Sequence, residues 1–198
     1  MFDWITGLIS QSGLPGIFLL MLGENMFPPI PSEVIMPLGG FLVEKGELTM
    51  PGVIIAGSLG SLLGTTLWYW AAVRLGDQRM RDLIVNYGRW LTMSEADYDR
   101  ARDWFERHGN LAVLIGRMIP GVRTLISVPA GLTGMPITRF LALSLVGSVI
   151  WVALLTAAGY ALGSQFALVS DWINPVSNLL FAGLAIVYVY RLFTHKGA

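Results

Sequence analysis

Gly116-Arg117-Met118-Ile119-Pro120-Gly121-Val122-Arg123-Thr124-Leu125-Ile126-Ser127-Val128-Pro129-Ala130-Gly131 sets two arginines, two prolines and three glycines inside a strongly apolar chain. An arginine at membrane depth costs roughly 2.5–3.5 kcal/mol on insertion scales, so it is kept where it does something. Proline lacks the backbone N–H and clashes with the preceding turn, and glycine weakens the helix, so no continuous helix is expected here. Broken backbone is tolerated at that depth only when it is buried in protein or lines a wet cavity. The stretch therefore reads as a re-entrant hairpin holding two guanidinium groups where an anion can reach them.

The surrounding composition agrees. Of 198 residues, 54% are hydrophobic and only 13% charged, and the mean hydropathy is +0.62. Soluble domains carry about 25% charged residues, so an all-α integral membrane protein is expected, as one membrane domain over 1–198. The net charge is zero, which gives no general attraction to nucleic acid. There is no cysteine, so disulfides and thiolate metal sites are excluded. His108 and His195 lie far apart in sequence and offer no ligand spacing. No metal and no cofactor is expected. Arginine outnumbers lysine eleven to two. That bias suits planar, bidentate anion contacts, and GC-rich codon usage explains it equally well. The N-terminus, Met1-Phe2-Asp3-Trp4, has no basic region or cleavage site of a signal peptide and is expected to remain in place.

Upstream, residues 4–22 predict a first helix ending before Gly23-Glu24-Asn25. Met26 to Val43 then carries Pro28, Pro29, Pro31 and Pro37, yet is apolar apart from Ser32 and Glu33. It reads as a second re-entrant hairpin, bearing glutamates instead of arginines. Glu44-Lys45-Gly46-Glu47 is a surface cluster. From Pro51 to Val73 the chain is long enough to span a bilayer, which takes about 20 residues. Gly57, Gly60, Gly64, Ser58, Ser61, Thr65 and Thr66 give it a small-residue packing face. Trp68, Tyr69 and Trp70 stand where an interfacial aromatic belt would. Residues 74–110 hold seven arginines and seven acids and form the polar loop. Ser94-Glu95-Ala96-Asp97 resembles a capping box opening a surface helix. That helix is expected to end at His108-Gly109-Asn110, with Ala101, Trp104 and Phe105 on one side. Two more spans follow, about 137–162 and 175–193. Arg139 reads as a residue snorkelling to the interface. Basic residues in 74–110 and at the C-terminus place both in the cytoplasm, along with the N-terminus.

The halves resemble one another. Each has a broken apolar stretch, then Met-Pro (Met50-Pro51, Met135-Pro136), then a span. Repeat one is 24–73 and repeat two 111–163. Paired interrupted segments in opposite orientation point to a transporter with its site between the repeats. Glu24, Glu33, Arg117 and Arg123 are the ionisable residues of the broken stretches. They can neutralise one another and offset part of their desolvation. The competing reading is that they are static clasps between the hairpins.

These residues also carry a family resemblance over about 20–165. Phe105-Glu106-Arg107-His108-Gly109, Gly116 to Thr124, and Ala130-Gly131-Leu132-Thr133-Gly134-Met135 resemble the signature of the DedA family of membrane proteins. Glu24 and Pro31-Ser32-Glu33 resemble its acidic half. Gly64 to Tyr69 is similar to its Gly-Asp-x-x-x-Tyr segment, with Thr65 where the family has Asp. The resemblance implies two opposed re-entrant hairpins in a bacterial cytoplasmic (inner) membrane. It also implies movement of a phosphate-bearing lipid between leaflets, undecaprenyl phosphate first and a phospholipid such as phosphatidylethanolamine second, coupled to H+ or Na+. By position it makes Arg117 and Arg123 the essential arginines and Glu24 and Glu33 the essential acids. The two arginines are expected to bind the lipid phosphate, with Thr124 and Ser127 adding hydroxyl donors and Glu24 and Glu33 as competing charge partners. Rival classes are an enzyme acting on lipid phosphates and a structural membrane factor. The lipid, the bilayer and the coupling cation are the expected partners, and assembly into a homo-oligomer is left open.

Overall fold

The computed structural model describes residues 2–26, 32–91, 95–120 and 122–163. Residues 27–31 of the first proline-rich stretch, Ser94 of the expected capping box, Gly121 and the last expected span, 175–193, lie outside the described residues. What is described is helical: α1 (Phe2–Ser12), α2 (Leu14–Met26), α3 (Ser32–Glu44), α4 (Met50–Leu91), α5 (Glu95–Gly116), α6 (Val122–Leu125), α7 (Ser127–Leu132) and α8 (Ile137–Leu162).

α4 and α8 are long and apolar enough to cross a membrane. At 1.5 Å per residue, the 23 residues of 51–73 extend about 35 Å, more than a hydrocarbon core of about 30 Å. Their outward faces are greasy. Ile55, Leu59, Leu63 and Leu67 are exposed along α4, and Val146, Val149, Ile150 and Leu154 along α8. In water such strips would be an aggregation surface; against lipid tails they are solvated. Over the described residues the fold is all-helical, with two candidate membrane spans.

The short helices wrap these two rods in a crossed pattern. α2 packs along α4 and α3 along α8; in the second half α5 packs on α8 and α7 on α4. Lipid offers no hydrophobic drive between helices, so close van der Waals approach does the work. Glycine makes it possible. A Cβ on Gly60 would stand 2.3 Å from the Phe18 carbonyl oxygen of α2, and one on Gly131 2.6 Å from the Tyr69 carbonyl oxygen of α4. Two apolar clusters result. One gathers Ile17, Leu20, Met21, Ile35, Met36, Val53 and Val152, the other Tyr69, Phe105, Val113, Ala130, Met135 and Phe140.

Several sequence expectations move. The first helix is two, parted at Gly13, whose φ is +60°, and α2 runs on through Glu24 and Asn25. α5 does not stop at His108–Asn110 but continues to Gly116. Gly109 is not a stop signal, because it is packed: a Cβ there would meet Phe105 and the Met135 side chain at 3.0 and 3.1 Å. The buried side of α5 is Tyr98 and Phe105, while Ala101 and Trp104 face outward. Tyr69 is no belt residue. It is buried, stacked on Phe140 with ring centroids 4.7 Å apart, and its hydroxyl donates to the Met135 carbonyl at 2.5 Å. Trp68 and Trp70 are exposed.

The polar region is helical as well. α4 continues past its apolar part through a kink at Gly76 (φ 75°, ψ 161°), a conformation essentially reserved for glycine. Just beyond, Asp77 binds α5: it accepts from the Tyr98 hydroxyl at 2.6 Å and pairs with Arg102 at 2.7 Å and Arg81 at 3.1 Å. Arg81 in turn reaches Asp99 at 2.5 Å. The Tyr98 hydrogen bond, and then the two guanidiniums, hold the Asp77 carboxyl below its ordinary range. Burial, and then Asp77, push the Tyr98 phenol up to about 12. A carboxyl with a lowered folded pKa stabilises above its unfolded value, about 3.9, and that contribution is lost as pH falls through the folded value. Asp77→Asn is therefore expected to flatten the acid limb of the thermal-stability profile below about pH 4. Melting of the detergent-solubilised variant and parent across that range checks it; an unchanged acid limb would place the sensitivity elsewhere.

Candidate functional site

The four ionisable residues of the broken stretches do not form two matching pairs. Glu24 sits near the end of α2, just before the proline-rich sequence. Arg123 lies on the short α6, which Pro120 and Gly121 separate from α5. Their side chains form an ion pair, Arg123 Nη2 to Glu24 Oε1, with both groups buried. This pair joins the acidic broken stretch of the first half to the basic one of the second.

Asn25 finishes the carboxylate's surroundings. Its Nδ2 donates to Glu24 Oε2 at 2.7 Å, with the Met21 carbonyl at 2.9 Å and Ser61 Oγ at 3.2 Å also in range. All three are acceptors, which fixes the amide's orientation. Ser61 Oγ lies 3.5 Å from Ser148 Oγ where α4 meets α8. Trp68 Nε1 donates to the Asn25 carbonyl at 2.9 Å, tying the end of α2 to α4.

Arg117 is held differently. It is almost wholly buried, at 1% exposure, and none of its contacts among the described residues is a carboxylate. Nη1 donates to the Arg123 carbonyl at 2.7 Å, Nη2 to Ser127 Oγ at 3.1 Å, and both Nη2 and Nε approach Ser144 Oγ at 3.1 and 3.3 Å. The Phe140 ring lies 5.4 Å from the guanidinium carbon, within cation–π range. Gly147 lets α8 come this close, since a Cβ there would stand 2.7 Å from Arg117 Cβ. Neutral oxygens and an aromatic face stabilise a cation without cancelling its charge.

Thr124 is buried beside Arg123. Ser127 is buried and already accepts from Arg117. Glu33 occupies the first turn of α3, half-buried, and accepts from Ser32 Oγ at 3.3 Å; among the described residues it reaches no arginine. Thr65, at the family's aspartate position, turns its hydroxyl onto its own helix, donating to the Ser61 carbonyl at 2.9 Å. It supplies no charge. Sequence reasoning passed over Asn25 and Ser144. Both are signalled as polar residues in otherwise apolar segments, which membrane helices bury against a partner. Among the described residues no cluster of His, Asp or Glu has the makings of a metal site.

The arrangement defines an α-helical membrane protein with a buried carboxylate–guanidinium pair, Glu24–Arg123, and beside it a second buried guanidinium, Arg117, whose partners among the described residues are all neutral. The model of the VTT domain matches residues 30–161, and the chain belongs to that family, the DedA family. It is 35% identical over 95% of its length to an alkaline phosphatase-like protein of Lactococcus lactis, covering 88% of that protein. It is 32% identical over 98% of its length to undecaprenyl phosphate transporter A of Staphylococcus aureus, covering 95% of it. With undecaprenyl phosphate transporter A of Bacillus subtilis the identity is 30% over 95% of this chain and 91% of the relative. No solved structure matches the chain.

Proposed function

We propose that this protein moves a phosphate-bearing lipid, undecaprenyl phosphate in particular, between the leaflets of a bacterial cytoplasmic membrane. One observation carries the proposal: two guanidiniums are buried side by side, Arg117 donating to the Arg123 carbonyl, and among the described contacts one carboxylate, Glu24, binds only one of them. The surplus positive charge suits an anion. Arg117 offers five N–H donors in a fixed fork; the bonds from Nε, Nη1 and Nη2 engage four of them and leave one, on Nη1, for phosphate. Arg123 is available when Glu24 lets go. The relatives named undecaprenyl phosphate transporter A support the choice of lipid.

In this reading 24–73 and 111–163 are inverted repeats. Each contributes a re-entrant hairpin and a span, 74–110 is a cytoplasmic connection, and 175–193 is the last span. The exchange of arms between α4 and α8 supports it, since each half leans one arm on its own long helix and the other on its neighbour's. Phosphate entering the site replaces Glu24 at Arg123, with Thr124 and Ser127 adding hydroxyl donors. A buried carboxylate stripped of its partner is costly and is neutralised, so Glu24 takes a proton as the lipid arrives and returns it as the lipid leaves. Glu33, on the opposite arm of the hairpin, is the next acceptor. The prenyl tail stays in lipid throughout.

The alkaline phosphatase-like relative raises hydrolysis as the rival. Cleaving a phosphate ester needs a nucleophile with a base in reach. Ser127 and Ser144 have no histidine beside them among the described residues, and both hydroxyls are held by Arg117. The deciding experiment is reconstitution in liposomes. Leaflet exchange of undecaprenyl phosphate and of phosphatidylethanolamine is followed under pH gradients of both directions. Transport of the first, faster with an imposed gradient, is the expected result; no exchange of either lipid, or release of inorganic phosphate, overturns it. In the same assay Arg123→Lys keeps the charge and loses the fork. It is expected to lower the rate about tenfold, the value of one charged hydrogen bond of roughly 1.5 kcal/mol.

A further inference from the structure

Away from the buried pair, the structure opens a cavity of about 430 Å³ between the middle of α5 and the turn joining α7 to α8. Arg107, His108 and Asn110 line it from α5, Thr133 from the turn and Arg139 from the first turn of α8. Its charge balance is positive. Glu106 also borders it, but that carboxylate is bound to Arg102 at 2.9 Å. Arg81, Arg100 and Arg102 of the polar region are each paired with an acid. Arg107 and Arg139 are not, among the described residues; Arg107 Nε donates only to the Asp103 carbonyl at 3.1 Å. His108 lies against Trp104, ring centroids 5.4 Å apart, with Nδ1 3.1 Å from the Trp104 carbonyl oxygen. That contact is best made by Nδ1–H, which turns Nε2 outward.

The position of these groups on their helices identifies what they face. Arg139 shares a helix face with Ala142, Val146 and Val149, all exposed, at spacings of three, four and three. Trp104, His108, Leu111 and Ile115 form the matching exposed face of α5, with Arg107 beside it. Each basic group therefore tops a greasy strip, at the level where a lipid changes from tail to headgroup. An anion recognised there is delivered with its tail along the strips.

We propose that this cavity binds the phosphate headgroup of a membrane lipid, held by Arg107 and Arg139 at one membrane face, separate from the Arg117–Arg123–Glu24 site. The assignment stands whether or not the buried site transports. The recognised chemistry is a phosphate monoester, which takes charge-assisted contacts from two guanidiniums, and a free phosphate ion would share it.

Because the chain has no cysteine, a single thiol reports on this cavity alone. The full chain carrying Asn110→Cys is placed in phosphatidylcholine nanodiscs with and without phosphatidic acid. Thiol modification by a water-soluble reagent is timed, with inorganic phosphate as a separate arm. Phosphatidic acid is expected to slow modification about tenfold at saturating mole fraction, as occupancy near nine-tenths requires. Adding Arg107→Gln and Arg139→Gln should remove the protection, while circular dichroism and elution volume stay unchanged. Equal rates with and without phosphatidic acid overturn the site, as does protection that survives both glutamines. Protection by inorganic phosphate as strong as that by the lipid overturns the lipid assignment.

Discussion

Exchanging the charges of the buried pair, Glu24→Arg with Arg123→Glu, is expected to leave a folded membrane protein that no longer moves lipid. The pair buried between α2 and α6 keeps one charge of each sign after the exchange, so its mutual attraction survives. Either single change leaves two like charges buried, and breaking a buried pair costs about 3–5 kcal/mol. The single variants should therefore melt well below the parent and the double variant near it. Transport separates a clasp from a working site. A clasp has only to attract, and the exchange preserves that. A phosphate site has to present the guanidinium from α6 beside Arg117, and the exchange moves it to α2. Loss of leaflet exchange in a double variant of near-parental melting temperature is the outcome the transport reading requires. A double variant that transports at the parental rate would reduce the four charges to scaffolding.

The second large effect belongs to the α3–α8 contact. Gly159→Leu is expected to abolish folding. Even a Cβ at 159 would stand 2.0 Å from the Pro37 carbonyl oxygen, and one at Gly40 would stand 2.0 Å from that of Thr156. Backbone atoms cannot swing aside as a side chain can, so the helices would have to part along the contact. Overpacking a well-filled core costs about 1–3 kcal/mol, more where backbone must move, and Gly159→Leu lies at the far end of that range. Gly159→Ala is the graded companion. Fluorescence-detected size exclusion should show aggregation for the first and a lowered melting temperature for the second. Normal elution of Gly159→Leu at the parental melting temperature would mean that α3 and α8 do not touch as described.

The sequence made the break after α5 legible, and it made the ionisable residues of the apolar stretches conspicuous. Proline at 120 and glycine at 121 are local facts, and the chain does leave helix between α5 and α6. Glutamate and arginine in apolar surroundings are conspicuous one residue at a time. Pairing is not a local fact. Nothing near Arg117 or Arg123 in the chain says that the second meets Glu24 while the first rests on Ser127, Ser144 and the Arg123 carbonyl. That follows from how closely α8 approaches α5 at Gly147. Gly109 misleads for the same reason: a glycine kept for contact with Phe105 and Met135 looks, in one dimension, like a helix stop. Tyr69 does too, since an aromatic between two outward tryptophans looks interfacial until Phe140 is found stacked on it.

Asp77 is fastened to α5 one residue beyond Gly76, where α4 bends. The bend lets the polar end of α4 turn aside and be fastened to α5, while the apolar part keeps its close packing on α2, α7 and α8. One residue without a side chain thus lets a single helix serve two neighbourhoods, greasy before the bend and charged after it.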